Sequence, residues 1–370
     1  MPTPEDGRWP RALAVSAAAL VGLGFALTPL SSRLDNAVLD VQWRVLARLE
    51  SRPAPDDIVI VGIDEATLRS IPEPPALWHV PLGTALSRIA AARPRAIALD
   101  FPLPERSYDG IKPGLDRALF NGLADAVEAV PVVAPLSIDP HTRAARLIHK
   151  PYLALLGESR LGLALAARDP DGTARRYSLL IPTEDGGFPT LEGRLCRALK
   201  AACGEGLIHF ALGKPYTYVP LKNLLAMTGE EVPRQLFRDR IVIIGDAQSF
   251  SGRVDVPVNL AGWETEAGST PGVVLRAQTL RTALANAAPR EAPTPLRGLL
   301  ISLAALVVLM RDWRIAALTG VLAAGVSAVA SVLALRSGLH LPLGAVLTTL
   351  ALAVAARGLW RLRRPAGIRS

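Results

Sequence analysis

The sequence predicts an α/β fold, a mixed sheet covered by helices, held between four transmembrane helices. Two observations lead to this fold class. Long apolar runs occupy both ends of the chain, with one over residues 12–30 and three over residues 296–310, 315–335 and 339–360. Between them, residues 31–295 alternate short apolar runs with segments of helical periodicity, which is the pattern of an α/β domain.

The closing apolar runs predict membrane spans. A helix rises about 1.5 Å per residue, so crossing ~30 Å of hydrocarbon takes ~20 apolar residues. Residues 315–335 and 339–360 reach this length, and Arg357 lies near an end where its side chain can reach the interface. Residues 296–310 form the shortest run, which spans the membrane only if Arg297 lies at the interface. A re-entrant segment is the alternative there.

The opening run, residues 12–30, is uncharged and follows Arg8 and Arg11. No clean small-residue cleavage site precedes Ser31, so we expect an uncleaved signal anchor rather than a cleaved signal peptide. The apolar spacing of residues 34–49 is helical, and we expect this segment to continue the anchor outward.

The distribution of charge sets the expected orientation. From Arg297 onward the chain has nine arginines, no lysine and one acid, so this stretch carries the whole formal charge of +8. The basic character is therefore a property of membrane flanks, and we exclude nucleic-acid binding. Basic segments stay on the cytoplasmic side, which places residues 311–314 and the tail 361–370 there.

A topology with four spans places both of these basic segments in the cytoplasm. The amino-terminal tail, residues 1–11, is then also cytoplasmic, and the domain of residues 31–295 is extracytoplasmic. The sequence thus predicts a multi-pass protein of the bacterial inner (plasma) membrane with a large periplasmic domain.

The two cysteines, Cys196 and Cys203, would face an oxidising compartment in such a domain. Their segment has helical patterning, and seven residues along a helix separate two Cα atoms by about 10 Å. A disulfide needs less than ~7 Å. We therefore expect no disulfide unless that helix ends early.

Continuous apolar runs predict strands that are buried on both faces. They occur at residues 57–65, 95–102, 130–138 and 239–247. Residues 161–182 are expected to form two strands around a tight turn, because Asp-Pro-Asp-Gly at 169–172 has the composition of a turn. Helical patterning occurs in between, at residues 81–92, 114–129, 188–202 and 271–287.

Acidic residues follow three of these strands. Asp64 and Glu65 follow the first, Asp100 the second and Asp246 the last. The carboxyl ends of parallel strands line the crevice in which ligands bind, so neighbouring strands would gather these acids around a cation, an amine or a polyhydroxylated ligand. The alternative is that each acid caps the helix that follows it, as Asp64 is placed to do.

Three further side chains are candidates for ligand binding. Trp78 is either a stacking platform or a packed loop anchor. Arg175 and Arg176 either bind an anion or pair with nearby carboxylates. Asp169 and Asp171 just before them are expected to form a turn, since the remaining ligands of a calcium loop are missing.

No sequence feature indicates catalysis. The five histidines are scattered, and a metal pair at His141 and His149 has little support. Nucleophile-elbow, phosphate-loop and HExxH motifs are absent from the sequence. We therefore expect no enzyme, no metal and no cofactor. Gly320, Ala324 and Ala328 have the small-xxx-small spacing of closely packed spans, within this bundle or against a partner such as a second copy.

Several segments together resemble the type-two CHASE domain, an extracellular sensory domain associated with cyclases and histidine kinases. The resemblance covers nearly the whole chain and rests on the order of its pieces. They are IVIVGIDEATL (58–68), Trp78–Pro81, IALDFPLPE (97–105), LGLALAARDPDGTARR (161–176), FPTLEGRLCRAL (188–199), RIVIIGDA (240–247) and PGVVLRAQTL (271–280).

The resemblance implies a periplasmic or extracellular sensor that is normally followed by a cytoplasmic cyclase or kinase domain. Here the chain ends about ten residues after the last apolar run, at Ser370, so we expect a separate polypeptide to carry the output. Two positions depart from the family's pattern: the GDAQS segment after the last strand, and Arg276, where a histidine is common.

We therefore expect a membrane-anchored sensor that recognises an unknown small ligand or an envelope protein and signals through a separate membrane or cytoplasmic partner. A structural or assembly subunit of a cell-envelope complex is the first alternative. An extracytoplasmic hydrolase that uses Asp64, Asp100 and Asp246 is the second.

Overall fold

The computed structural model describes residues 8–49, 52–138, 145–183, 186–229, 231–265, 268–310 and 312–362. These residues form two compact units. The helical unit contains the described residues up to Leu49 and from Pro289 onward, and the sheet unit contains those in between, up to Ala288.

The elements are numbered in chain order. The helices are α1 (Arg8–Ala26), α2 (Pro29–Leu49), α3 (Glu65–Ser70), α4 (His79–Ala91), α5 (Leu115–Ala129), α6 (Lys150–Leu156), α7 (Leu191–Ala198), α8 (Leu221–Ala226), α9 (Glu231–Phe237), α10 (Gly272–Leu284), α11 (Thr294–Ala305), α12 (Trp313–Arg336) and α13 (Gly344–Leu362). The strands are β1 (Ile58–Ile63), β2 (Ala96–Asp100), β3 (Val132–Leu136), β4 (Leu161–Leu163), β5 (Arg176–Tyr177), β6 (Leu180–Ile181), β7 (Phe188–Pro189), β8 (Gly206–Leu207), β9 (Tyr218–Pro220), β10 (Ile241–Asp246), β11 (Arg253–Asp255), β12 (Ser269–Pro271), β13 (Arg290–Glu291) and β14 (Leu339–His340).

The sheet unit is built on a six-stranded sheet in the order β4-β3-β2-β10-β1-β9. All of its pairings are parallel. The expectation of a mixed sheet is therefore wrong for this sheet, and the antiparallel pairs form separate two-stranded sheets. The four apolar runs do form the strands β1, β2, β3 and β10, because continuous apolar runs suit strands that are covered on both sides.

Helices cover both faces of this sheet. Val61, Leu99 and Ile244 belong to the hydrophobic cluster that also contains side chains of α4, α5, α8 and α9. Alternate strand residues point to opposite faces, and on the other face a Cβ at Gly245 would lie 2.8 Å from Val273 of α10. The prediction of an α/β domain is thus confirmed.

Two expectations about the middle of the chain are wrong. Residues 161–182 do not form a hairpin, because β4 joins the edge of the parallel sheet whereas β5 pairs with β8. Cys196 and Cys203 form a disulfide with a Cα–Cα distance of 6.2 Å. Helix α7 ends at Ala198, and Lys200 then adopts a left-handed backbone with φ of 52°, so the chain turns back before the second cysteine.

The helical unit contains one helix that is long and apolar enough to cross a membrane by itself. It is α12, with 24 residues and a mean hydropathy of 2.1. Helices α1 and α2 count as a second candidate if the pair, bent by 79°, forms one span. Helix α11 with the turn after it, and helix α13, are shorter apolar segments (Thr294–Leu309 and Gly344–Leu359).

Helix α2 contains residues 34–49, which the sequence analysis extended outward into the domain. The helix instead belongs to the helical unit, where it contacts α12 and α13. There the Gln42 amide donates a 2.7 Å hydrogen bond to the Ser331 hydroxyl, and both residues are buried. The backbone N–H of Gly344 donates to the Asp35 carboxylate.

Small residues allow close packing within the helical unit. A Cβ at Gly320 would lie 2.8 Å from Val354 of α13, and Ala324 packs against the hydrophobic cluster of this unit. Ala328 is exposed. The small-residue spacing on α12 therefore reflects packing inside the bundle for its first two members.

Candidate functional site

The acids predicted to gather at one edge of the sheet lie on three adjacent parallel strands. In the register of the sheet, Asp100 pairs with Gly245, and Asp246 pairs with Ile63. Asp64 follows Ile63 directly. The carboxyl ends of β2, β10 and β1 therefore present these acids side by side, although each makes different hydrogen bonds.

Asp64 is the N-cap of α3. Its carboxylate accepts hydrogen bonds from the backbone N–H of Thr67 at 2.7 Å and from the Thr67 hydroxyl at 2.6 Å. The Tyr218 hydroxyl donates to the other carboxylate oxygen at 3.1 Å. Both oxygens are engaged and the residue is buried, so Asp64 has a structural role at the start of this helix.

Glu65 and Asp246 bind the loop that follows β10. The backbone N–H and the hydroxyl of Ser249 donate to Glu65, and these hydrogen bonds lower the pKa of its carboxyl group. Asp246 accepts from the backbone N–H of Gln248 at 2.9 Å and from the Ser251 hydroxyl. The loop is thereby held over the strand ends.

Asp100 belongs to a buried cluster of three charges. Arg276 of α10 donates through Nε to Asp100 at 2.8 Å and through its terminal nitrogen to Glu192 of α7 at 2.8 Å. The three side chains are between 7 and 13 % exposed. Two carboxylates thus share one guanidinium, which leaves the cluster with one excess negative charge.

The surroundings of Asp100 shift the pKa of its carboxyl group. Burial raises the pKa of its carboxyl above the ordinary value, the Arg276 guanidinium opposes this effect, and the negative Glu192 adds to it. The cluster could not be predicted from the sequence, because its members are distant in the chain. Arg276 was noted only as a departure from the family pattern.

Asp100 and Asp246 line one cleft of about 760 Å³, named here the carboxyl-end cleft. Its walls are largely apolar, and its other lining residues include Ile63, Leu68, Leu82, Phe101, Leu103 and Leu119. Arg106, Arg146 and Glu105 also line it. Asp64 and Glu65 are not among its lining residues, so the strand ends form a shared pocket for only two of the acids.

Trp78 contributes to the wall of this cleft but is itself a packed anchor. The side chain is 2 % exposed, belongs to the main hydrophobic cluster, and donates through Nε1 to the Glu73 carbonyl at 2.7 Å. Its ring is therefore fixed by the loop before α4, as one of the two readings of the sequence predicted.

A polar cluster that the sequence analysis missed lies beside the cleft. The Asp116 carboxylate lies 3.6 Å from Nε2 of His79 and 3.7 Å from Nε2 of His149. Burial lowers the pKa of His79, and the nearby Asp116 opposes this effect. Within the described residues no group of three or more His, Cys, Asp or Glu could hold a metal ion. His141, considered with His149 as a metal pair, lies outside the described residues.

Arg175 and Arg176 lie apart from the cleft and pair with the turn before them. Arg175 is 2 % exposed and binds Asp169 and Asp171 at 2.8–2.9 Å, and Arg176 also binds Asp169. The hydrogen bond from Arg175 lowers the pKa of Asp171 to about 2. The expected turn is present, since the Gly172 N–H donates to the Asp169 carbonyl at 2.8 Å.

Comparison with known proteins shows the family to which the chain is similar. Neither the curated proteins nor the solved structures gave a match. The family model of the CHASE2 domain matches residues 14–311, which is most of the chain. CHASE2 is a family of extracellular sensory domains, and the protein belongs to it.

Proposed function

We propose that the protein is a membrane-anchored extracytoplasmic sensor that binds a small ligand in the carboxyl-end cleft. The observation that carries the proposal is the link between the cleft and α10. Asp100 lines the cleft and is held by Arg276 of α10. A ligand that contacts Asp100 therefore acts on a charge pair that fixes a buried helix.

The lining of the cleft indicates the chemistry of the ligand. Apolar walls meet an acidic corner at Asp100 and Asp246, and three further charged residues also line the cleft: Glu105, Arg106 and Arg146. A volume of about 760 Å³ suits a small organic molecule. The combination favours an amine or a polyhydroxylated compound with an apolar body, which donates hydrogen bonds to the acidic corner.

Helix α10 is the proposed route of the signal. Its residues from Val273 to Ala283 are buried throughout, and the chain from Ala285 to Pro293 joins it to α11 of the helical unit. Transmission requires two arrangements of α10 that differ in ligand affinity. A coupling free energy of about 1–3 kcal/mol between site and output is typical of such systems.

The surface of the helical unit supports anchoring in a membrane. Large apolar side chains are exposed along α12, among them Leu318, Val321, Leu322, Val326, Val329 and Leu333. Soluble monomers rarely expose an apolar surface of this extent. We propose four spans with both termini in the cytoplasm, and a separate cytoplasmic output protein that contacts the spans or the basic tail.

The cleft is tested with the full-length protein in lipid nanodiscs. A library of small amines and polyols is screened for an increase in the unfolding temperature. Ala76 is exposed and lines the cleft, so Ala76→Trp fills the cleft without disturbing the core. Ala167→Trp is the matched control, because Ala167 is exposed and is not among the lining residues.

The proposal expects a stabilising compound whose effect is lost in Ala76→Trp and retained in Ala167→Trp. Asp246→Asn reduces the stabilising effect of the same compound. A compound whose effect survives Ala76→Trp contradicts the location of the site. A screen without a stabilising compound, together with a stable envelope-assembly partner in native membranes, favours the structural-subunit alternative.

A further inference from the structure

A second cavity lies at the amino-terminal ends of the strands, at the opposite edge of the same sheet. Its volume is about 670 Å³, and its lining includes Ile58 at the start of β1 and strand β9. Five other lining residues define what is named here the basic cavity: Arg52, Lys214, Tyr216, Arg240 and Arg281. The function proposed above does not use it.

The charge of the basic cavity is one-sided. Four of its lining residues are cationic, whereas Asp56 is the single carboxylate in the lining. Within the described part of the chain, none of the four cations has a carboxylate within 4.0 Å. Arg52 and Lys214 are exposed, and Arg240 is half-buried, so three of the positive charges are within reach of a ligand.

Arg281 is the buried member of this set. The side chain is 5 % exposed, and its terminal nitrogen donates to the carbonyls of Leu212 and Lys214 at 3.2 and 3.0 Å. Its guanidinium lies over the Tyr216 ring at 3.9 Å. Neutral acceptors and an aromatic face hold it in position, but they do not neutralise it. Burying a charge without a counter-charge is costly.

The loop around Arg281 is shaped to fit the guanidinium. Gly213 has a φ of +75°, and a Cβ at this position would lie 2.5 Å from the Arg281 side chain. The Gly213 N–H donates to the Arg52 carbonyl at 2.8 Å, and the Arg52 N–H donates to the Ala211 carbonyl at 2.7 Å. The segments that carry Arg52, Lys214 and Arg281 are therefore fixed to one another before any ligand binds.

Two buried donors of the basic cavity lack acceptors among the described residues. They are Nε of Arg281 and the hydroxyl of Tyr216. Buried polar groups are normally hydrogen-bonded. Neither atom is accessible to solvent, so an oxygen-rich anion in the cavity supplies the negative charge that the buried guanidinium lacks, and its direct donors are the accessible cations.

We propose that the basic cavity binds a phosphate group. The four cations exceed the single carboxylate by three charges, which suits a multiply charged anion better than a monocarboxylate. Arginine matches phosphate oxygens with paired N–H donors. The phosphate belongs either to a soluble phosphorylated compound or to the headgroup of an anionic phospholipid, since both present the same chemistry.

The test uses the full-length protein in nanodiscs of zwitterionic lipid, with inorganic phosphate as the probe. Calorimetry compares the wild type with R52Q/R240Q, which removes two accessible charges and leaves the buried Arg281 in place. R117Q/R238Q is the matched control, because both of its arginines are exposed and lie outside the cavity lining. We expect R52Q/R240Q to lose about tenfold or more in phosphate affinity, and the control to keep it.

A second arm identifies the source of the phosphate. Native mass spectrometry counts phosphatidylglycerol molecules retained after transfer from anionic nanodiscs. Retention that is lost in R52Q/R240Q, without binding of inorganic phosphate, supports the site with a lipid headgroup as its ligand. Absence of both effects overturns the proposal. An equal loss in R117Q/R238Q also overturns it, because the binding then reflects net charge alone.

Discussion

Arg276 of α10 donates a 2.8 Å hydrogen bond to Asp100 at the carboxyl end of β2, across 176 residues of sequence. The same guanidinium holds Glu192 of α7. One side chain thus ties together the end of a central strand, a covering helix and the wall of the carboxyl-end cleft. Arg276 therefore stabilises the fold, and in the proposed mechanism it is the first residue to pass the effect of a ligand from Asp100 to α10.

The first prediction concerns removal of this guanidinium. Arg276→Met leaves two buried carboxylates without a partner, and breaking a buried ion pair in this way costs about 3–5 kcal/mol. We expect a decrease of that size in the free energy of unfolding, measured by denaturant titration. Arg95→Met is the control, because the Arg95–Asp57 pair is partly exposed, with a separation of 3.8 Å, and its loss costs less than about 1 kcal/mol.

The second prediction concerns acid stability. Burial, with a smaller effect of Arg52, lowers the pKa of His209 from 6.5 to about 4. Between these values the unfolded chain binds a proton that the folded chain does not, so stability falls as the pH decreases from 6.5 to 4. The contribution is at most about 3 kcal/mol.

His209→Gln removes this titration. Unfolding temperatures measured from pH 4 to pH 7 should therefore fall less steeply for the variant than for the wild type. A slope that is unchanged in the variant would show that other groups cause the acid sensitivity.

The third prediction concerns the disulfide. Cys196 and Cys203 are seven residues apart, and closing a loop of this size stabilises a fold by about 2–3 kcal/mol. We expect the double variant Cys196→Ser/Cys203→Ser to lose that amount of stability. In cells, neither cysteine should react with an alkylating reagent unless a reductant is added first, as expected of an oxidising compartment. Free thiols in the native membrane would contradict an extracytoplasmic location.

The fourth prediction concerns packing in the helical unit. Gly320→Leu places a side chain against Val354, because even a Cβ at position 320 would lie 2.8 Å from the Val354 side chain. Overpacking of this kind costs about 1–3 kcal/mol. Gly325→Leu on the same helix is the control, because a Cβ at Gly325 meets nothing within 4 Å. Thermal unfolding in detergent should therefore separate the two variants, and equal stabilities would contradict the contact between α12 and α13.

The central strands could be predicted from the sequence, because their composition alone requires burial on two faces. The position of β10 between β1 and β2 could not be predicted, since strand order depends on packing between distant segments. The disulfide was missed because the left-handed turn at Lys200 has no sequence signal such as glycine. Asp64 could be recognised as a cap because its partner, Thr67, is local, whereas Asp100, Glu192 and Arg276 meet only in the folded chain.

The basic cavity could not be predicted from the sequence either. Arg52, Lys214, Arg240 and Arg281 are spread over more than half of the chain and form no run of charge. From the sequence, the positive charge of the chain was therefore assigned to the membrane flanks alone. In the folded chain the Arg281 guanidinium packs against Gly213, whose φ is positive, and donates to the Lys214 carbonyl.

The central claim, a sensor that signals through a separate cytoplasmic protein, is tested most directly by recovery of its complex. The protein is tagged at its carboxyl terminus, solubilised from native membranes in mild detergent, and purified with whatever remains bound. The account predicts a kinase, a cyclase or another regulator in stoichiometric amount, with an activity that changes in Asp246→Asn. Recovery of envelope-assembly components, or of the protein alone, would contradict it.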